Sequence, residues 1–365
     1  MTVQSKRTLK IEKLARIYDD EIAPVWGARF GKMLLRNLSV PQKGQVLDVS
    51  CGTGYPTIEI LRRMSEGSRL IAIDASSAML DVARRKVADL GPLGKKGVFF
   101  RTESAVPKLS FADEVYDLVV CNLGLGEMPS LPVALSDFAR VAKMGGEVRC
   151  TLPLAGSFQE FHDLYREVLI KHDKHEALER LERHIARYPT VEDVERCMRE
   201  ANLAGGLEYE EFALLFKSSR EFFFAPVIEY GPLAEWKEIA GEGQEMQDVF
   251  WYIKEAIDAY WGGRPFQATV KAGCVIGKKQ EPPERESAGS MPQMDDTSPF
   301  TREAGELPAR PEKIATGSVQ VVDPDELDVV IEAGTGVRGF ELDEQSEAER
   351  ELDAFIEGKK RPPHL

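Results

Sequence analysis

The stretch Val46-Leu47-Asp48-Val49-Ser50-Cys51-Gly52-Thr53-Gly54 decides the fold. Val46 to Val49 read as a short strand, the two glycines open a turn, and residues 56–64 follow with helical spacing. A strand that passes through a glycine-rich turn into a helix puts that turn at the carboxyl edge of an open α/β sheet. Ligands bind along that edge, and glycine there lets backbone come close to them. At the strand's end the carboxylate of Asp48 offers an acceptor to a cationic group such as an amino group. Further on, Asp74 closes a second strand, Leu70-Ile71-Ala72-Ile73-Asp74, at the position where a carboxylate can accept both hydroxyls of a ribose. A dinucleotide fingerprint is the nearest rival. It wants a third small residue three after the second glycine, where Thr57 stands, and has no need of Asp48.

Working outward, residues 78–90 carry a second helical period, 97–101 a third strand, and Tyr116–Asn122 a fourth whose composition suits burial on both faces. Residues 131–142 read as a helix stopped by Met144-Gly145-Gly146, and 147–152 as a fifth strand. Apolar strands alternating with helices predict a parallel sheet covered on both sides. Residues 1–44 precede it as an N-terminal helical cap. Residues 157–265 change character to charge-dense amphipathic helices, a cover for the sheet's edge. Within it, Thr190-Val191-Glu192-Asp193 has the form of a capping box. A strand at 207–216 and a closing strand at 266–277 complete the domain, 45–279.

The formal charge of −14 is concentrated at the end of the chain. Residues 280–365 hold 21 Asp/Glu against 9 Lys/Arg, so the preceding portion is nearly neutral. That end segment is Pro-rich, with Phe300, Phe340 and Phe355 as its aromatics, and is predicted to be an acidic, mostly disordered tail. It is the candidate contact for a protein partner. The near-neutral front lacks the basic footprint that nucleic acid requires. Cys51, Cys121, Cys150, Cys197 and Cys274 form no C-x-x-C pair, which fits reduced thiols and predicts no metal site. With neither an apolar leader nor a run long enough to span a bilayer, a soluble cytoplasmic protein is expected.

VLDVSCGTG followed by IAIDASSAML resembles motifs I and II of class I S-adenosylmethionine-dependent methyltransferases, and YDLVVCNLGLGEM resembles the fourth-strand motif of their small-molecule branch. That branch includes quinone-biosynthesis and biotin-pathway enzymes. The resemblance implies a Rossmann-like, seven-stranded, mostly parallel sheet with helices on both faces, and S-adenosyl-L-methionine as cofactor. Carried over, Asp48, Gly52 and Gly54 surround the cofactor's methionine part, Asp74 holds the ribose, and Ala75 and Met79 lie close to the adenine. Glu103 or Ser104 would meet the adenine amino group, Asn122 and Leu123 would lie beneath the sulfonium, and Tyr18 would either lid the cofactor or pack a helix. Ser50 stands where the family has a glycine, a tolerable exchange if its φ is negative.

Methyl transfer is an in-line displacement and requires a base only when the nucleophile must lose a proton. No catalytic residue is therefore assigned. Asn122 is followed by Leu-Gly-Leu, not the Pro-Pro-Tyr of nucleobase amine methylation, and Cys121 follows Val120, not the proline of cytosine-C5 enzymes. The expected acceptor is a small molecule or an acyl thioester. The alternatives are a catalytically degenerate interaction or regulatory protein on the same fold, or a protein methyltransferase. His162, His172, His175 and His184 lie in the cover and are expected to be solvated, while most of its aromatics are expected in the core.

Overall fold

In the computed structural model, which describes residues 3–282 apart from Lys96, the chain opens with helix α1 (Val3–Ile17), a stretch of π-helix (Tyr18–Gly27) and α2 (Ala28–Leu35). Strands and helices then alternate as β1 (Gln45–Val49), α3 (Thr57–Arg63), β2 (Arg69–Asp74), α4 (Ser77–Ala88), β3 (Gly97–Thr102), β4 (Tyr116–Asn122), α5 (Leu131–Val141) and β5 (Ala142–Pro153). Helices α6 (Gln159–Lys171), α7 (His175–Ile185) and α8 (Val191–Glu200) precede β6 (Leu203–Phe216). Four more, α9 (Ser219–Phe224), α10 (Pro226–Glu229), α11 (Leu233–Ala240) and α12 (Gly243–Trp261), lead to β7 (Phe266–Lys279). The tail expected to be disordered lies, from residue 283 on, outside the described residues.

The seven strands form one sheet in the order β3-β2-β1-β4-β5-β7-β6. The first five pair in parallel, and β7 runs antiparallel between β5 and β6. Successive side chains of a strand point to opposite faces, and the core follows that period. Val46 and Val120 join the cluster under α2, α3 and the cover helices; Leu47, Val49, Val119 and Cys121 join the one under α5 and α8. Burial on both faces explains why β1 and β4 are apolar runs with no alternation.

Three departures from the expected elements have local causes. β5 starts at Ala142, because Met144-Gly145-Gly146 forms an irregularity inside the strand and does not end a helix. Ala142 pairs with Tyr116, and pairing resumes at Glu147 opposite Leu118. The π-helix contains Pro24, which has no N–H and whose ring crowds a normal turn, and Ala28 N–H donates five residues back to Ala23. Finally, Arg149 of β5 is buried and donates to the carbonyls of Leu34 (3.0 Å) and Arg36 (2.6 Å) and to that of Asn37 (3.4 Å), besides pairing with Glu147. These are the orphan carbonyls where α2 ends, so one arginine fastens the N-terminal segment to the sheet.

Candidate active site

Strand order reverses between β1 and β4, so a crevice opens at their carboxyl ends. The turn after β1 forms one bank. Gly52 (φ 54°) and Gly54 (φ 92°) are left-handed, and a Cβ on Gly54 would sit 3.0 Å from that of Ala83, so this glycine also lets α4 pack against the turn. Ser50 is left-handed too, at φ 53°, which corrects the expectation of a negative φ. The chain must reverse here for Cys51 N–H to reach the Ile73 carbonyl of β2 at 2.9 Å. A side chain held in that region costs about 1–2 kcal/mol, the strain a glycine avoids.

Beneath the turn lies Asp48, fully buried. Its Oδ2 accepts from the hydroxyl of Thr57 at 2.5 Å, while Oδ1 has no partner among the described residues. Burial pushes its carboxyl up to about 7, against the Thr57 hydrogen bond and helped by the nearby Asp74 charge. A second buried oxygen of the same turn, Thr53 Oγ1, also lacks a partner among the described residues. An acceptor and a hydroxyl of this one turn are thus buried and left unsatisfied, a costly arrangement.

Asp74, at the end of β2, faces the same turn. Its Oδ2 accepts from Gly52 N–H (2.9 Å) and its Oδ1 from Ser76 N–H (2.8 Å). Burial raises its pKa while those two bonds lower it. Each carboxylate oxygen keeps a lone pair for a further donor. Ala75 is exposed beside it, and Met79, on the first turn of α4, packs with Ala78, Val82 and Ala15 of α1. Glu103 is already engaged: it pairs with Arg101 and accepts from Ser110 N–H (3.2 Å). Ser104 accepts from Val106 N–H (3.1 Å) and is exposed. Both therefore serve their own loop here.

On the other bank, Asn122 is held at both ends of its amide. Its Nδ2 donates to Gly27 O (3.1 Å), and its Oδ1 accepts from Thr151 Oγ1 (2.8 Å). Leu123 is left-handed (φ 66°), with its N–H on the same threonine (3.0 Å). Asn122 therefore ties β4 and β5 to the end of the π-helix. Tyr18, which starts that helix, lies over the turn, since a Cβ on Gly52 would meet its Cε1 at 3.6 Å. Trp26, next to Gly27, packs near the rings of Phe30 (4.9 Å), Phe158 (6.0 Å) and Phe212 (6.2 Å). Sequence reasoning missed Thr53 on the turn, Thr57 at the start of α3 and Thr151 near the end of β5, whose only signal is those positions.

Two histidines in the cover correct the expectation of solvated rings. His162 and His184 are 3% and 8% exposed, packed around Trp236 and Tyr188. His184 continues the buried stripe Ala177–Leu181 of α7, and its Nδ1 stands 3.2 Å from Glu235. Burial drives the His162 pKa down to about 3 and lowers that of His184. His172 stacks on Tyr252 at 3.7 Å, and His175 is exposed. A hollow of about 520 Å³ lies over this region, lined by Arg180, Arg183, His184, Arg187, Glu235, Glu238 and Ile239. Its Arg187 and Glu235 already pair at 2.7 Å and it contains no residue of the β1 turn, so chemistry, not volume, places the candidate site at the crevice.

Comparison with known proteins shows what this chain is similar to. Residues 46–146 match the family model described as a methyltransferase domain. A demethylmenaquinone methyltransferase of Staphylococcus aureus is 29% identical over 205 residues, covering 53% of this chain and 80% of that protein. Among solved structures, the YcgJ protein of Bacillus subtilis aligns with a TM-score of 0.45 at 17% identity, over 70% of this chain and 99% of its own. A geranyl diphosphate C-methyltransferase of Streptomyces coelicolor aligns with 0.40 at 14% identity, over 69% of this chain and 79% of its own.

Proposed function

We propose, on the premise that this chain is a class I S-adenosylmethionine-dependent methyltransferase, that it binds S-adenosylmethionine at the turn after β1 and methylates a small-molecule acceptor. The observation that carries the reading is the pair of unsatisfied buried oxygens, Asp48 Oδ1 and Thr53 Oγ1, flanking a glycine of positive φ. An amino acid's ammonium and carboxylate are the complement of an anionic acceptor and a hydroxyl carried on one turn. Asp74 fits the ribose, because both of its oxygens are fixed by backbone N–H groups and retain accepting capacity. Ala75 and Met79 would bound the adenine.

The cofactor supplies an electrophilic methyl on a sulfonium. The protein's share of the work is placement, since bringing a nucleophile within about 3–3.5 Å of the methyl along the displacement axis removes most of the entropic barrier. Asn122 and Thr151 fix the end of β4 against Gly27, and that linkage holds Trp26 and the π-helix beside the crevice. Trp26, half-buried and next to the Gly27 that Asn122 holds, packs near Phe158 and Phe212 and offers an apolar flank that suits a flat, apolar acceptor. A quinone-type ring, as in the name of the Staphylococcus relative, is an acceptor of that kind.

Calorimetric titration with S-adenosylhomocysteine tests the binding half. Micromolar affinity that Asp74→Ala abolishes is expected, and an intact protein that does not bind would end the reading. Incubation with methyl-labelled cofactor and cell-extract fractions tests the acceptor. Label that passes a size filter supports a small molecule, whereas label retained on polypeptide would show protein methylation.

A further inference from the structure

The side chain that most sets this turn apart from a glycine-only version is Ser50, and the structure shows what it meets. Across the crevice, in the loop after β4, stands Gly124, buried. A Cβ placed on Gly124 would collide with Ser50 Cβ, would lie 2.7 Å from Ser50 Oγ, and would lie 2.8 Å from Cys121 Sγ. Real Cβ atoms do not approach so closely, and the Ser50 Cβ cannot swing aside because it is fixed to the backbone of the turn. The two banks are therefore in side-chain-to-backbone contact at one point, with Ser50 the knob and Gly124 the socket. Both banks are also strained beside this contact, with Ser50 at φ 53° and Leu123 at φ 66°. Non-glycine residues in left-handed backbone persist where surrounding structure over-determines them, and such strain clusters at functional sites.

We propose that Ser50 and Gly124 are a positioning pair for methyl transfer. The Ser50 side chain sets how near the loop after β4 comes to the methyl-bearing end of the cofactor, and Gly124 is glycine because Ser50 is not. The proposal rests on the reading of the crevice as the S-adenosylmethionine site. Ser50 extends β1 by one residue, Leu123 and Gly124 extend β4, and the crevice between those two strand ends is where a donor and an acceptor held from opposite banks must meet. Room at this contact is therefore room beside the transferring methyl. A glycine at position 50 would open it, and a larger residue at 124 would force the banks apart.

Three variants, Ser50→Gly, Gly124→Ala and the double substitution, decide the matter. Each is assayed by thermal unfolding and by calorimetric titration with S-adenosylmethionine and S-adenosylhomocysteine, which differ by the methyl and its charge. Gly124→Ala alone is expected to lower the thermal midpoint and weaken both ligands about tenfold, and Ser50→Gly in the same chain is expected to recover part of both losses, Cys121 Sγ still crowding the added methyl, as directly contacting residues couple. Ser50→Gly alone is expected to change the ratio of the two affinities by about threefold or more. A purely structural serine would shift both ligands alike. A double variant no better than Gly124→Ala, or an unchanged ratio in Ser50→Gly, overturns the pairing while leaving the cofactor site intact. Failure of the unaltered protein to bind S-adenosylhomocysteine instead removes the functional reading and this inference with it.

Discussion

Asp48 makes the sharpest prediction, because the same carboxyl controls both stability and cofactor affinity. It is fully buried and ionises near 7 in the folded protein, against 3.8 for an exposed aspartate. A folded-state pKa above the unfolded value means the native protein holds the proton longer. The site is therefore at its most favourable below the unfolded pKa and loses stability as pH rises, until it levels off above 7. Between those limits the ionised native state is penalised by about 4 kcal/mol, of which roughly 2–3 kcal/mol accrues from pH 5 to pH 8. Asp48→Asn removes the titration. The stability of Asp48→Asn relative to the parent should thus rise by about 2–3 kcal/mol between those pH values, read from urea unfolding midpoints. Taking the difference matters, since His162 pulls the parent the other way.

The binding arm follows from the same number. If an ammonium group is the missing partner of Asp48 Oδ1, only the ionised carboxylate binds it well. S-adenosylhomocysteine affinity should then climb nearly tenfold per pH unit below 7 and flatten above, on the order of a hundredfold in all from pH 5 to 8. Binding near pH 7 should release about half a proton, seen as a calorimetric heat that depends on the buffer's own ionisation enthalpy. Asp48→Asn should abolish both dependences. A parent protein whose affinity is level from pH 5 to 8, with buffer-independent heats, would refute the assignment of Asp48 to the ammonium. A level stability difference would refute its neutrality in the free protein.

The other expectations are simpler. His162 has a pKa held near 3 by burial, below the usual 6.5, so the unfolded chain takes up its proton first and stability is lost as pH falls below 6.5. His162→Phe should spare the protein about 2 kcal/mol of destabilisation at pH 5 relative to pH 8, measured by urea unfolding of both proteins. Arg149→Met leaves the carbonyls at the end of α2 and the carboxylate of Glu147 without their donor, and should cost about 2–4 kcal/mol in the same assay. Truncation after Gln280, whose N–H donates to Asn202 O at 2.9 Å just beyond β7, should leave the thermal transition and S-adenosylhomocysteine binding in place. Aggregation of that truncated chain would mean the core extends beyond β7.

The parts of the fold that could be read from the sequence were those set by local chemistry. Thr190 does cap α8 through a reciprocal pair with Asp193, its Oγ1 accepting from Asp193 N–H at 3.1 Å, because a capping box needs only residues three apart. The strand-turn-helix at Asp48 to Gly54 was legible for the same reason. Arg149 was not: a basic residue in a strand says nothing about which helix end lies above it, and the contact spans more than a hundred positions of chain. Likewise the pairing slip between β4 and β5 exists only once the strands meet, and the glycines that mark it look like a helix stop. His184 was readable, since Ala177, Leu181 and His184 fall on one helical stripe; weighing the histidine by its charge hid it. Of the site, Asp48, Gly52, Gly54 and Asp74 come together at one turn, while Glu103, Ser104 and Asn122 have partners that only the folded loops supply.

The same energetics bear on whether the fold still serves a cofactor or has become a scaffold. A scaffold has no use for a carboxylate sealed beneath a turn at a penalty of about 4 kcal/mol when ionised, nor for a strained serine where glycine would be relaxed. Stabilities are small differences, and a penalty of that size is readily relieved by a single change when no activity depends on it. Asparagine at 48 would keep the Thr57 hydrogen bond and shed the charge. Retention of an unsatisfied acceptor, an unsatisfied hydroxyl and a ribose-ready aspartate around one glycine turn is the pattern expected when stability is given up for binding. If Asp48→Asn proves more stable at pH 8 yet loses the ligand, the two costs are one, and the crevice is a cofactor site.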